Sequence, residues 1–156
     1  PVNETSARIV AGGAVVMSVA FVITGNPWLL LPLTYGFIAR VCTGPFLSPL
    51  GRISTQIITP RIKREHRLVP GPPKRFAQGI GALFSVAGSV LWFADAQTAS
   101  RVVIAMLAGA ASLEAFVGFC LGCAIFARLM RWGVIPESVC AECNDISQRI
   151  QSSSPA

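Results

Sequence analysis

Residues 102–130 have the sequence VVIAMLAGAASLEAFVGFCLGCAIFARLM, the longest apolar stretch of the chain. The stretch contains one acid, Glu114, and the first of two Cys-x-x-Cys pairs, Cys120 and Cys123. About 20 apolar residues in a helix cross the roughly 30 Å hydrocarbon core of a bilayer. The stretch therefore predicts a transmembrane helix that carries Glu114 inside the membrane and the cysteine pair near the membrane boundary.

The composition indicates that the whole chain folds in lipid. Of its 156 residues, 53% are hydrophobic and 13% are charged, and the mean hydropathy is +0.61. So few charges cannot cover the surface of a soluble domain of this size. The formal net charge of +6 comes mainly from one cluster between apolar stretches, which is typical of membrane topology and not of nucleic-acid binding. We expect a lipid bilayer as partner and no nucleic acid.

Four segments approach the length of a membrane span, so the sequence predicts an all-α fold, a four-helix transmembrane bundle with a short cytoplasmic tail. The predicted helices cover residues 7–24, 28–42, 76–93 and 102–130. The second helix is short and contains Pro32, which indicates either a tilted helix or one that continues through residues 46–50 as an interfacial piece. We assign residues 1–131 to the transmembrane domain and residues 132–156 to the tail, which carries the second cysteine pair, Cys140 and Cys143.

The loop at residues 43–75 and its flanks are strongly basic, with Glu65 as the single acid. The connections on the other side, residues 25–27 and 94–100, hold no basic residue. Since positive loops stay in the cytoplasm, we predict a multi-pass plasma-membrane protein with both termini cytoplasmic. The basic residues of the cluster are Arg40, Arg52, Arg61, Lys63, Arg64, Arg67, Lys74 and Arg75.

The two cysteine pairs lie on the predicted cytoplasmic side, where stable structural disulfides are disfavoured. One hypothesis is thiol chemistry. Cys120 and Cys123, the boundary pair, and Cys140 and Cys143, the tail pair, would perform disulfide exchange or sulfur transfer with a soluble cytoplasmic partner. Cys140 and Cys143 would be the accessible pair, and Cys120 and Cys123 the pair close to the membrane.

The alternative hypothesis is a metal site. The spacing Cys-x2-Cys-x16-Cys-x2-Cys fits the four-cysteine zinc template. Cys120, Cys123, Cys140 and Cys143 would then hold zinc or an iron–sulfur cluster, and the chain would be a scaffold or accessory subunit of a larger membrane complex. On a continuous helix, however, the first pair lacks the tight turn usual at such sites.

Glu114 is predicted to form an intramembrane ion pair with Arg40, because charges inside a membrane are costly and usually paired. Gly36 lies one turn before Arg40 and allows the close approach that such a pair needs. Proton handling is the alternative role for Glu114, and a transporter of a small sulfur compound would use both charges to line its path. On an ideal continuous helix Glu114 points nearly opposite to Cys123, which argues against a direct role at the thiols.

Several motifs resemble those of a known family of uncharacterised bacterial integral-membrane proteins, domain of unknown function 4395. They are Arg40 followed by Gly44-Pro45 and Ser48-Pro49, the segment PGPPKRFAQGIG at residues 70–81, and Glu114-Ala115 leading into GFCLGC at residues 118–123. The resemblance runs from about Thr5 to Cys143. It implies a small multi-helix membrane protein with a thioredoxin-like or sulfurtransferase protein as partner, which favours thiol or sulfur chemistry over a structural zinc.

Overall fold

The computed structural model describes residues 2–44, 46–58, 61, 68–69 and 71–140. Nearly all of them are helical, which confirms the predicted all-α class. A two-residue antiparallel pair joins β1 (Val2–Asn3) to β2 (Leu68–Val69) and ties the start of the chain to the end of the basic loop. Part of that predicted loop, residues 62–67, and the tail from residue 141 onward, with Cys143, lie outside the described residues.

The helices follow one another with short connections. A 3-10 turn, Pro27–Leu29, leads into the second helix, and π-helical turns at Ile53–Ile58 and Leu113–Val117 continue the third and fifth helices. A last 3-10 turn covers Glu137–Cys140. The α-helices of the described residues are α1 (Glu4–Thr24), α2 (Leu30–Thr43), α3 (Pro49–Arg52), α4 (Gly71–Phe93), α5 (Gln97–Ser112) and α6 (Leu121–Arg131).

Three helical stretches have the length and apolar composition that a membrane crossing requires: Glu4–Thr24, Gly71–Phe93 and Gln97–Val117. They suggest a membrane protein, in agreement with the first and third predicted spans and with the first part of the fourth. The second predicted span corresponds to α2, which has only 14 residues. At about 1.5 Å per residue this helix is shorter than the hydrocarbon core, so its crossing remains a prediction.

Helix α4 lies at the centre of the fold and packs against α2, α5 and α6, while α1 packs against α5. Two small residues of α4 allow this close packing. Gly81 lies against the ring of Phe37 on α2, and Gly88 lies against Ile104 on α5. Small residues at contacts are how helices approach each other in lipid, where burial of apolar surface does not by itself drive association.

The predicted continuous helix over residues 102–130 is wrong. Helix α5 and the π-helical turn after it form one helical stretch, Gln97–Val117, which we call the α5 stretch. After this stretch Gly118 adopts a left-handed backbone with φ of 75°, and a new helix, α6, begins at Leu121. A left-handed residue ends a helix and is cheapest when it is glycine. Arg8 of α1 stabilises this end, because its Nε and Nη2 donate hydrogen bonds to the carbonyls of Ala115 at 3.1 Å and Phe116 at 2.9 Å.

Helix α6 packs against the first turns of α4. Gly122 of α6 lies directly on the backbone of Ala77, where an added Cβ would stand 2.5 Å from the Ala77 Cβ. The rings of Phe76 and Phe126 meet with centroids 5.6 Å apart. The start of α6 is thereby held at the end of the fold where α4 begins and the α5 stretch finishes.

Candidate functional site

The first cysteine pair is built into the start of α6. Cys120 is the N-cap residue with extended backbone angles, and the backbone N–H of Cys123 donates a hydrogen bond to the Cys120 sulfur at 3.4 Å. N-cap side chains accept such bonds because the first N–H groups of a helix have no partner within the helix. The expectation that both cysteines lie on a continuous helix without a tight turn is therefore wrong, since the break at Gly118 creates the turn.

The two thiols have opposite acidities. The pKa of the Cys120 thiol is lowered to about 7, first by the hydrogen bond from the Cys123 side chain and further by the positive charge of Lys74, against the opposing effects of burial and Glu114. The pKa of Cys123 is raised, first by its hydrogen bond with Cys120 and then by burial. Cys120 is therefore the thiolate of the pair, and Cys123 keeps its proton.

Glu114 forms its ion pair with Lys74 of α4 and not with Arg40 as the sequence predicted. Both side chains are largely buried, since only 11% of the Lys74 side chain and 14% of the Glu114 side chain are exposed. The partner differs because Lys74 lies in the first turn of α4, opposite the end of the α5 stretch, where it also attracts the Cys120 sulfur. Two oppositely charged groups thus lie beside the thiol pair.

Arg40 is buried in the same region but has other partners. Its Nε donates a hydrogen bond to the Gln78 side chain at 2.8 Å, and its Nη1 donates one to the Ser48 hydroxyl at 3.2 Å. Its guanidinium carbon lies 4.7 Å from the centre of the Phe37 ring, a cation–π contact. These contacts fix the side chain of Arg40 at a position where Glu114 is not its ion-pair partner.

A cavity of about 80 Å³ connects these groups. Its polar lining comes from Arg40, Gln78, Glu114 and Cys120, and the remaining walls are apolar or glycine, formed by Val10, Ala11, Ala14, Phe37, Ala77, Ile80, Gly81, Leu107, Ala110, Ala111, Leu121, Gly122 and Ile125. Glu114 and Cys120 line one cavity because the chain turns at Gly118. The argument that helical geometry keeps Glu114 away from the thiols is therefore wrong.

Sequence reasoning missed Lys74 and Gln78 as members of this site. The two residues are four apart on α4, so they share one face of that helix. Both belong to the segment PGPPKRFAQGIG that carried the family resemblance, and this segment was the available signal. Hydropathy alone pointed to Arg40 and Glu114 because it marks charges in apolar stretches, and it says nothing about their partners.

Cys140 lies in the turn Glu137–Cys140, which folds back against α4. Its side chain is 1% exposed and is disulfide-bonded, so the prediction that Cys140 is an accessible thiol is wrong, whereas Cys42, Cys120 and Cys123 are free thiols. Within residues 2–140 as described, no three His, Cys, Asp or Glu side chains come together as a metal site. Cys120 and Cys123 are thus adjacent to each other but do not meet Cys140, and the predicted ligand Cys143 lies outside the described residues.

A protein-family model with the description "Domain of unknown function (DUF4395)" matches residues 2–131. The match covers well over half of the 156-residue chain, and the chain belongs to this family, as its motifs indicated. Comparisons with curated proteins and with solved structures found no match.

Proposed function

We propose that this member of the DUF4395 family is an integral membrane thiol protein that performs disulfide exchange or sulfur transfer through its Cys-x-x-Cys pairs. The position of Cys120 as N-cap of α6, with the Cys123 N–H bonded to its sulfur, is the observation that carries the proposal. This geometry supports a nucleophilic thiolate, because a helix N-terminus and a neighbouring cation both favour negative charge on sulfur.

In disulfide exchange, the Cys120 thiolate attacks one sulfur of a disulfide on a soluble partner. A mixed disulfide forms between Cys120 and the partner, and the other partner sulfur leaves as a thiolate. Cys123 then loses its proton and attacks the Cys120 sulfur, which releases the second partner thiolate. The pair is oxidised to a disulfide by two electrons, and the partner disulfide is reduced to two thiols.

Sulfur transfer uses the same nucleophile with a different electrophile. The Cys120 thiolate attacks the outer sulfur of a persulfide donor, a new bond forms between the Cys120 sulfur and that atom, and the donor leaves as a thiolate.

Cys140 and Cys143 form the second pair of the proposed relay and exchange with the boundary pair or with a thioredoxin-like or sulfurtransferase partner. The fold of the Glu137–Cys140 turn onto α4 supports this role, because it returns the chain to the helix that also supports α6.

We place this chemistry on the cytoplasmic side of the plasma membrane, with four crossing helices and both termini in the cytoplasm. The distribution of basic residues supports this orientation. Arg101 lies beside Gly25 at the end of the fold where α1 finishes and α5 begins. Arg8, Arg40 and Lys74 lie at the opposite end, where α4 begins and the α5 stretch finishes.

Trapping of partner proteins tests this function. In Cys123→Ser, a partner that has formed a mixed disulfide with Cys120 cannot be released, so the variant should accumulate covalent adducts that a reductant dissolves. Cys120→Ser should form none, and Cys42→Ser, which changes an exposed free cysteine, should behave as the wild type. Equal adduct levels in Cys120→Ser and Cys123→Ser would contradict the proposal, as would one equivalent of tightly bound zinc or iron lost on replacing either cysteine.

A further inference from the structure

The second step of the proposed disulfide exchange needs a proton acceptor close to Cys123. Cys123 keeps its proton while Cys120 is the thiolate, yet it must lose that proton before it attacks the Cys120 sulfur. The Cys123 thiol is only partly exposed, in the first turn of α6. Of the described residues that line the cavity beside this thiol pair, Glu114 is the one carboxylate. A carboxylate is a suitable acceptor, because positioned carboxylates act as general bases in proton transfer.

The break in the helix at Gly118 brings Glu114 and the thiol pair to one cavity. Glu114 lies before the break and Cys120 after it, and both line the same space of about 80 Å³. The Cys123 side chain donates its hydrogen bond to the Cys120 sulfur, so its proton lies beside this space. The volume exceeds the roughly 10–15 Å³ that one water requires, so a water molecule bonded to the carboxylate fits there and can carry the proton across.

Lys74 links the carboxylate to the thiols electrostatically. It forms the ion pair with Glu114, and its positive charge lowers the pKa of both Cys120 and Cys123. When the proton moves from Cys123 to Glu114, the negative charge moves from the carboxylate to the sulfur, and Lys74 attracts it at both places. The net charge of this buried group does not change, so the transfer creates no additional buried charge.

We propose that the Glu114 carboxylate accepts the proton of Cys123 in the second step of disulfide exchange, with Lys74 stabilising the thiolate that forms. The proposal rests on the proposed function, since it assigns a residue to one step of that reaction. The S–H bond of Cys123 breaks, an O–H bond forms on Glu114, and the Cys123 thiolate attacks the Cys120 sulfur. The bond between Cys120 and the partner sulfur breaks, its two electrons leave with the partner sulfur, and the departing thiolate takes the proton from Glu114.

The state of Cys120 determines when Cys123 gives up its proton. The largest cause of the raised pKa of Cys123 is its hydrogen bond with Cys120, and the negative charge of Cys120 also contributes. Both causes disappear with the Cys120 thiolate, which is consumed when Cys120 forms the mixed disulfide with the partner. Cys123 therefore becomes easier to deprotonate after the first step, when an acceptor is needed.

Other charged groups of the described residues surround this part of the fold without forming an ion pair with Glu114. Arg40 of α2 lines the cavity and attracts Glu114 at longer range. Glu4 and Arg8 of α1 lie beside the turn that follows the α5 stretch, and Arg8 donates its hydrogen bonds to backbone carbonyls there. Lys74 is therefore the charge that acts on the carboxylate most directly.

A disulfide probe that releases a coloured thiol at each step tests the proposal. The uncharged disulfide dithiodipyridine releases one thiopyridone when Cys120 attacks it, and a second when Cys123 attacks the Cys120 sulfur. The rate of the first release depends on the probe concentration and that of the second does not, so stopped-flow absorbance separates them. The measurement uses the full-length chain in detergent with Cys42→Ser, which removes an exposed free thiol. Cys123→Ser identifies the first release by abolishing the second.

Glu114→Gln should slow the second release by about a hundredfold, a typical contribution of a positioned acid or base. The first release should not slow, because Glu114 raises the pKa of Cys120. Around neutral pH the second release of the wild type should change little with pH, since its proton goes to an internal acceptor. In Glu114→Gln it should rise by about tenfold per pH unit, because only Cys123 deprotonated by solvent can attack. Glu114→Asp keeps a carboxylate and should retain the weak pH dependence.

The double variant Lys74→Met with Glu114→Gln separates proton transfer from folding. It removes both charges and so leaves no unpaired buried lysine, but it lacks the acceptor, and its second release should stay slow. A second release restored to the wild-type rate would show that Glu114 only supports the fold, and would overturn the proposal.

The failure of the proposal and the failure of the proposed function give different results. If neither release occurs in the wild type, the thiol function fails and the role of Glu114 fails with it. If both releases occur, but the second has the same rate and pH dependence in the wild type and Glu114→Gln, the thiol function stands and Glu114 is not the acceptor.

Discussion

The backbone N–H of Cys123 donates a hydrogen bond to the sulfur of Cys120 across 3.4 Å, within the first turn of α6. The two cysteines are chemically unequal. The pKa of the Cys120 thiol is lowered first by the hydrogen bond from the Cys123 side chain and to a smaller extent by this backbone bond, while Cys123 lies inside the helix and retains its proton. On an uninterrupted helix the same residues would have no free N–H group to add to this stabilisation.

Replacement of Cys123 should raise the pKa of Cys120, because the hydrogen bond from the Cys123 side chain is the largest cause of its lowering to about 7. In Cys123→Ala the pKa should approach the ordinary thiol value of about 8.5, so the thiolate fraction at neutral pH falls by roughly tenfold. The pH dependence of alkylation by iodoacetamide gives the pH at which half of Cys120 is deprotonated, which we call the Cys120 midpoint. In the wild type the rate should rise with pH through about 7, since only the deprotonated sulfur reacts.

Cys123→Ser is the matched control, because a hydroxyl still donates a hydrogen bond where a methyl group cannot. Its Cys120 midpoint should lie between those of the wild type and Cys123→Ala. An unchanged midpoint in both variants would show that the side chain of Cys123 does not stabilise the thiolate.

Removal of Lys74 should affect both stability and reactivity. Lys74→Met leaves Glu114 as a largely buried carboxylate without its partner, which should lower the free energy of unfolding by about 3 kcal/mol. It should also raise the Cys120 midpoint, because the Lys74 charge is one of the causes that lower this pKa. Chemical unfolding in detergent and the alkylation profile measure the two effects separately.

The double variant Lys74→Met with Glu114→Gln provides the control for this pair. It removes both charges, so most of the lost stability should return. The Cys120 midpoint should return to the wild-type value or fall slightly below it, because Glu114 raises this pKa at least as much as Lys74 lowers it. If the double variant lost as much stability as Lys74→Met and Glu114→Gln lose together when made singly, a direct ion pair between the two residues would be contradicted.

Hydropathy predicted the helical class and three of the apolar spans, because these depend only on the length and composition of each segment. It did not predict the end of the α5 stretch. Gly118 looks like the other glycines of an apolar stretch, and glycine is frequent inside transmembrane helices. Only the left-handed backbone at this residue, with φ of 75°, shows that the helix stops there.

The partner of Glu114 could not be predicted for a different reason. Arg40 and Lys74 both lie close to the same end of the fold, and the choice between them depends on how α4 packs against the α5 stretch. That register is set by close contacts such as Gly88 on Ile104, which composition does not reveal. An intramembrane acid therefore predicts a cationic partner more reliably than it predicts which cation.

Gly118→Ala should destabilise the chain by about 1–2 kcal/mol, since a side chain is strained in the left-handed region that Gly118 occupies. Gly109→Ala is the matched control, because Gly109 lies within α5 and no atom stands within 4 Å of an added Cβ. That change should be neutral or stabilising by up to about 1 kcal/mol. Equal stability of the two variants in chemical unfolding would show that α5 and α6 form one helix in solution.

Gly122→Ala should displace α6 from α4 and disturb the thiol pair that α6 positions. An added Cβ would stand 2.5 Å from the Ala77 Cβ and 2.6 Å from its Cα, and backbone atoms cannot move aside as a flexible side chain can. Overpacking of this kind costs about 1–3 kcal/mol, and the displaced Cys123 N–H would stabilise the Cys120 thiolate less well. The alkylation midpoint of Cys120 should therefore rise together with the loss of stability.

Gly79→Ala tests whether this effect is specific to the contact with α6. Gly79 lies on α4 near the same end of the fold, and an added Cβ there meets no atom within 4 Å. The variant should keep the Cys120 midpoint and gain about 0.5–1 kcal/mol from its higher helix propensity. If Gly122→Ala lost stability but kept the wild-type midpoint, the packing of α6 on Ala77 would support the fold without positioning the thiols.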